Sequence, residues 1–156
     1  MNYWPRLTQT VETTLKTERI GQLVFVKCIL VLTAEVTDIH HMAAGIADYI
    51  SGWLAASLGR VYVLEAGPQR QLTLSLEYPT GASALLSLST ARVNSALDLS
   101  LFGNAGAIYH TEAGPFGLDE APQIQTSPQL QAITEAIRAS VETGQPIDLP
   151  RMGGRS

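Results

Sequence analysis

The sequence predicts one α+β domain over residues 1–150, a mainly antiparallel sheet of five or six strands with helices packed on one face. Three observations carry that prediction. Between 61 and 110, short runs follow one another in quick succession, several alternating apolar with small polar residues, with turn residues between them. Helix-like periodicity is confined to three stretches, near the start, over 38–58 and from 128 onward. One further run, Leu23 to Thr33, is largely apolar on both of its faces, as a strand covered on both sides must be. A chain of 156 residues is long enough for one domain with a real core, and its tail, 151–156, is expected to fray.

The elements follow in order. Pro5 suits the first turn of a helix, and Leu7, Val11 and Leu15 recur four apart to give it one apolar stripe, with Gly21 closing the segment. In the strand 23–33, one cover is expected from the domain's own helices and the other from a partner subunit. Residues 38–58 read as a helix carrying Met42, Ile46, Tyr49, Ile50, Trp53 and Leu54, with a break or kink invited by Gly45 and Gly52 and a stop at Gly59. Strands are then expected over 61–65, 71–78, 82–91, 95–102 and 107–110. Leu72, Leu74 and Leu76 share one face of the second of these, and Leu97, Leu99 and Leu101 one face of the fourth. Short connections make these neighbours a meander. Residues 113–126 read as loop. Ser127-Pro128 then opens the clearest helix, with Leu130, Ile133, Ile137 and Val141 as its stripe and Gly144 and Pro146 as its end.

Composition excludes several classes. Apolar residues make up 46% and charged residues 15%, the balance of a folded globular chain. A net charge of −4 lacks the basic footprint of a nucleic-acid binder. The longest apolar run, Leu23 to Ala34, is interrupted by Lys27 and is short of the ~20 residues of a membrane span. With no targeting pattern at the start and one cysteine, Cys28, the expected location is the cytoplasm.

Each residue with chemical potential has a plainer reading beside it. His40 and His41 are the most reactive-looking pair, yet adjacent helical residues point about 100° apart and do not converge on a metal. An acid–base role for one of them competes with a polar helix start, and Asp38 before them is first of all a helix N-cap. Asp48, inside an apolar stretch, is a buried carboxylate in need of a partner or a solvent-facing one. Tyr3, Trp4 and Arg6 would line a cleft if another domain docked there; otherwise they anchor the first helix. Tyr49, Trp53 and Met42 would line a pocket between the 38–58 helix and the sheet, although aromatics at helical spacing are usually core. His110 reads as surface and Cys28 as core. The many serines form no Gly-x-Ser-x-Gly elbow. No metal site is expected.

Four phrases carry a family resemblance: "NYWPRL" at 2–7, "TERIGQLVFVK" at 17–27, "GASALLSLSTAR" followed by "LDLSLFGNAGAIYH", and "QAITEAIRASVETGQPI". In order and spacing, the chain resembles the C-terminal domain of the glucose-fructose oxidoreductase / inositol dehydrogenase (Gfo/Idh/MocA) family. The resemblance implies a sheet domain that supplies substrate contacts and oligomer interfaces to an NAD(P)-binding Rossmann domain. The sequence holds no Gly-x-Gly-x-x-Gly after a strand and no Glu-Lys-Pro phrase; Gly103 to Gly106 joins two strands instead. The family's Asp-x-Gly-x-His-x-x-Asp phrase is not reproduced either. Aligned on Asp48, it meets Ile50, Gly52 and Ala55; aligned on Asp38, it meets histidines at the wrong spacing.

The expectation is therefore a stand-alone sheet domain, a non-catalytic oligomerisation or substrate-binding module that self-associates through the open sheet face. It would bind no cofactor alone, and NAD(P) would come only through a Rossmann-domain partner chain. Two other readings compete with it. In one, the chain is the substrate-domain subunit of an NAD(P)-dependent oxidoreductase whose Rossmann half is separate; in the other, it is a small-molecule binding protein.

Overall fold

The computed structural model describes residues 3–33, 37–67, 70–91, 95–113 and 127–151. The first helix, α1 (Tyr3–Lys16), buries Trp4, Leu7 and Val11 along the stripe that the four-residue spacing predicts. Strand β1 (Leu23–Thr33) follows, then α2 (Ile39–Leu54), β2 (Arg60–Glu65), β3 (Gln71–Glu77), β4 (Ser83–Ala91), β5 (Ala96–Gly103), β6 (Gly106–Ala113), α3 (Pro128–Thr143) and the short β7 (Ile147–Asp148). The expected loop over 114–126 and the tail from 152 lie outside the described residues.

The sheet has seven strands in the order β6-β5-β1-β4-β3-β2-β7, not five or six. Two strand positions depart from the expected meander. β1 inserts between β4 and β5, pairing parallel with β4 and antiparallel with β5, so the sheet is mixed. β7 adds two residues beside Arg60 and Val61. The physical reason is plain in both cases. Alternation reports which face of a strand is buried and says nothing about its neighbours, and a two-residue strand has no alternation to read. An antiparallel pair needs only a turn, whereas a parallel pair needs a long crossover. Here that crossover carries α2, β2 and β3.

Alternation fixes the two faces. Val26, Cys28, Leu30 and Leu32 of β1, Leu72, Leu74 and Leu76 of β3, and Leu97, Leu99 and Leu101 of β5 are buried on one side. Against that side lie α2, over β1 and β4, and α3, over β2, while α1 packs beside α2. The helices share one face, as expected. From Phe25 on, the odd positions of β1 point to the other side, where no element of the described chain covers them; Leu23, before the register shift, is buried in the core.

α2 runs unbroken through Gly45 and Gly52, contrary to the expected kink. Gly45 is buried along with Ala43, Ala44 and Ala47, on the side of the helix where small residues allow close packing. The helix stops at Ala55, which takes the left-handed conformation (φ 51°) and returns its N–H to Gly52 and Ser51, well before Gly59. α3 matches its predicted caps. The Ser127 hydroxyl accepts the Leu130 N–H, and Gly144 (φ 68°) closes the helix. The turn between β5 and β6 is held against the α1–β1 connection, where Asn104 Oδ1 accepts the Gln22 N–H at 3.0 Å and the Ala105 N–H donates to the Ile20 carbonyl at 2.9 Å.

Two outcomes follow for stability. Ala55→Gly removes a left-handed alanine that costs roughly 1–2 kcal/mol against an entropic loss of about 0.5–1 kcal/mol, so urea denaturation should show a small net gain. Gly103→Ala should cost about 1–3 kcal/mol, because its Cβ would meet the Ile20 carbonyl oxygen and the turn would have to lift off.

Candidate functional site

The polar groups singled out in the sequence gather in part at the start of α2. Asp38, in extended conformation (φ −136°, ψ 94°), caps the helix, its Oδ1 accepting the His41 N–H at 3.1 Å. Its second oxygen accepts from Arg138 Nη2 at 2.7 Å, which ties α3 to the start of α2. Partial burial pushes the Asp38 carboxyl up, but the His41 N–H bond and the charges of Arg138, His40 and His41 outweigh it, and the carboxyl sits below its ordinary value. Cationic imidazoles are disfavoured at a helix N-terminus, and the Asp38 carboxylate offsets that.

His40 turns inward. Its Nε2 lies 3.3 Å from Glu65 Oε2 at the end of β2, with side chains only 14% and 16% exposed. The two neighbouring histidines thus part company, as helical geometry requires: His40 joins β2, and His41 gives its backbone to the cap. A carboxylate that takes one imidazole N–H leaves the other ring nitrogen as the position able to accept or donate a proton. Among the described residues, no group of three or more His, Cys, Asp or Glu side chains is placed to hold a metal ion.

The remaining candidates lie apart from this cluster. Asp48 is half-buried along α2, and burial pushes its carboxyl up. Tyr49 stacks on Trp4, ring centres 5.9 Å apart and planes 22° from parallel, joining α1 to α2. Trp53 and Met42 are 5% and 6% exposed and belong to the core, where Trp53 Nε1 has no hydrogen-bond partner among the described residues. Arg6 is on the exposed side of α1, and the Tyr3 side chain lies outside the described residues. Beneath α2, Ser51 Oγ and the Tyr78 hydroxyl are 3.0 Å apart, and burial pushes the Tyr78 phenol to about 12. Cys28 is fully enclosed, its thiol likewise pushed up to about 12 by burial first and Asp98 second, the setting of a core thiol.

Sequence reasoning missed Glu65 and Arg138. Glu65 had a signal: it continues the core-facing positions Val61 and Val63, and a carboxylate there must find a partner. Arg138 had a weaker one, as the single basic residue of α3.

A crevice of about 120 Å³ separates α1 from β5 and β6, lined by Leu7, Val11, Leu99, Ile108 and His110 among others. A second hollow, about 290 Å³, opens on the uncovered side beside Ile29, Val31, Asp98 and Thr111. No described helix is long and apolar enough to cross a membrane.

No protein-family model matches the chain, and no curated protein matches it in sequence. Solved structures match it in fold. Scyllo-inositol dehydrogenase from Lactobacillus casei, with bound NAD(H) and scyllo-inositol, superposes at a TM-score of 0.69 and 10% identity, covering 90% of this chain and 61% of that one. Myo-inositol dehydrogenase from Corynebacterium glutamicum gives 0.68 at 14% identity over 93% of this chain and 62% of its own. Myo-inositol 2-dehydrogenase from Lactobacillus plantarum gives 0.67 at 13%, over 92% and 61%. The chain therefore spans about three fifths of the length of these dehydrogenases, and its fold is that of the C-terminal sheet domain of the Gfo/Idh/MocA inositol dehydrogenases.

One outcome tests the cap. Asp38→Ala should cost about 1 kcal/mol at pH 7 by urea denaturation. Because the folded carboxyl is held low, its contribution is present above the unfolded value near 4 and is lost as pH falls through the folded one. The gap between wild type and variant should therefore narrow at pH 2–3; an undiminished gap would show that the carboxylate charge is irrelevant.

Proposed function

We propose that this sheet unit is the oligomerisation and substrate-facing module of a polyol-type dehydrogenase, non-catalytic by itself, with NAD(P) held on a separate nucleotide-binding unit. One observation supports it above the others. Three helices cover one face of the sheet, while the other face carries half-buried Phe25, Ile29, Val31, Leu85 and Phe102 with no described element over them. A monomeric sheet normally places polar residues on its solvated side. This one instead mixes apolar and small side chains, as a face that meets a second protein does.

The second support is the fold shared with inositol dehydrogenases, one of them with NAD(H) and scyllo-inositol bound. In the described residues, hydride transfer has no glycine-rich strand-to-helix turn to hold a pyrophosphate. The groups at the start of α2 are engaged in holding helices to the sheet: Asp38 with Arg138, His40 with Glu65. That arrangement suits a wall against which a substrate is presented better than a self-sufficient catalytic centre.

Light scattering on the purified chain, with a titration of NAD(H) and NADP(H) followed by calorimetry, tests both halves. The expected result is a dimeric or larger mass at micromolar concentration with no saturable nucleotide binding. A monomer would overturn the assembly role, and saturable binding would overturn the separate nucleotide unit.

A further inference from the structure

Strand pairing lays out the uncovered face in rows. One row runs Thr111, Asp98, Ile29, Ser87, Thr73, Leu64 from β6 to β2; the next runs Tyr109, Ser100, Lys27, Leu85, Ser75, Tyr62. Twelve positions hold two charges, one of each sign. Farther along the face, Phe102 packs 5.7 Å from Phe25 and 5.8 Å, edge-on, from Tyr109. The charges at the far margin are already spoken for: Arg60 meets Asp148 at 2.6 Å and Glu77 at 3.9 Å.

Lys27 and Asp98 are half-buried and lie on adjacent strands, one two-residue step out of register. Strand spacing and rise put their Cα atoms about 8 Å apart. They form no ion pair with each other, and neither pairs with any other described residue.

We propose that a second copy of this chain covers the face about a dyad that seats Lys27 of each copy against Asp98 of the other. The inference rests on the assembly reading above and goes beyond it by naming the register. Two arguments favour a second copy as the occupant. The face is self-complementary in charge, since a twofold axis bisecting the Lys27–Asp98 vector satisfies both residues twice. Six full strands of about six residues also present on the order of 600 Å² in projection, close to the ~800 Å² per partner of a stable interface once side-chain relief is counted. Desolvation then selects the register. Covering either charge without its mate carries a large penalty, so face-to-face packings that leave Lys27 over Leu85 or Ser87 of the other copy are disfavoured. The aromatic cluster and the hollow beside Ile29 and Val31 supply the apolar contact on which association depends; the charges choose among its possible alignments.

Charge reversal separates a pair between copies from one within a chain. Lys27→Asp and Asp98→Lys are prepared singly, and the mass of each is measured alone and in an equimolar mixture. Alone, each variant carries two like charges that face two like charges, and its association should weaken at least tenfold. Mixed, each variant meets the opposite charges of the other, and a heterodimer should form with affinity near that of the wild type. A pair within one chain predicts no recovery on mixing. Single variants that assemble as well as wild type, or a mixture no stronger than its components, would overturn this register while leaving the assembly reading intact. A monomeric wild type would overturn both. Should circular dichroism show a reversed variant to be poorly folded, Lys27→Met and Asp98→Asn give the same answer. Each alone strands buried charge and weakens the dimer, while their equimolar mixture, in which Lys27 of the Asp98→Asn copy meets Asp98 of the Lys27→Met copy, recovers it; a pair within one chain predicts no such recovery.

Discussion

The structure depends on the position of β1. It stands between a parallel partner and an antiparallel one, with Val26, Cys28, Leu30 and Leu32 pressed against the helical layer. A strand paired on both edges and packed on one face has few ways to move, and everything else is arranged around it. The parallel pairing with β4 obliges the chain to leave the sheet, cross as α2 and return through β2 and β3. That crossing lays α2 over β1 and β4 and brings its first turn beside the end of β2, where His40 meets Glu65. The placement of the polar cluster is thus a consequence of topology before it is a matter of chemistry.

How much of this was legible depends on the range of the interaction. Local signals were readable. The Ser127-Pro128 start and Gly144 stop of α3 appear as caps in the structure, and the leucine triplets of β3 and β5 lie on the buried side as alternation requires. The single helical face follows from the same patterning. Non-local pairing was not readable. Nothing in the composition of Leu23–Thr33 states that its neighbours are β4 and β5, and its doubly apolar pattern already gave the only available hint, a strand covered on both sides. The Asp38–Arg138 and His40–Glu65 pairs span 100 and 25 residues, distances over which one sequence carries no periodic signal.

The intermediate cases are instructive because a local rule was sound and a tertiary one overrode it. Glycine lowers helix propensity by about 1 kcal/mol, which invited a break at Gly45 or Gly52. Packing of α2 against the sheet buries Ile39, Ile46 and Ile50 completely, and apolar burial of that kind is worth roughly 1.5–3 kcal/mol per side chain. Three such residues outweigh two glycines, so the helix continues. The same balance lets it end on a left-handed alanine at Ala55.

The alternating positions of β1 divide two kinds of work, and that division bears on why charge stands where it does. From Val26 onward the even positions are committed to the core, where Cys28 is so far from water that its thiol is pushed to about 12. A charge at any of them would unfold the domain. Odd positions from Phe25 onward face outward and are free of that constraint, so Lys27 can be held there at little cost to folding. Asp98 occupies the equivalent outward position on β5, between Leu97 and Leu99 of the core. Charges placed only where the fold is indifferent to them do not stabilise the monomer, and a pair of opposite sign left unjoined on an otherwise neutral face stabilises it least of all. Their effect is felt when the face is covered, because desolvation then makes one alignment acceptable and its neighbours costly.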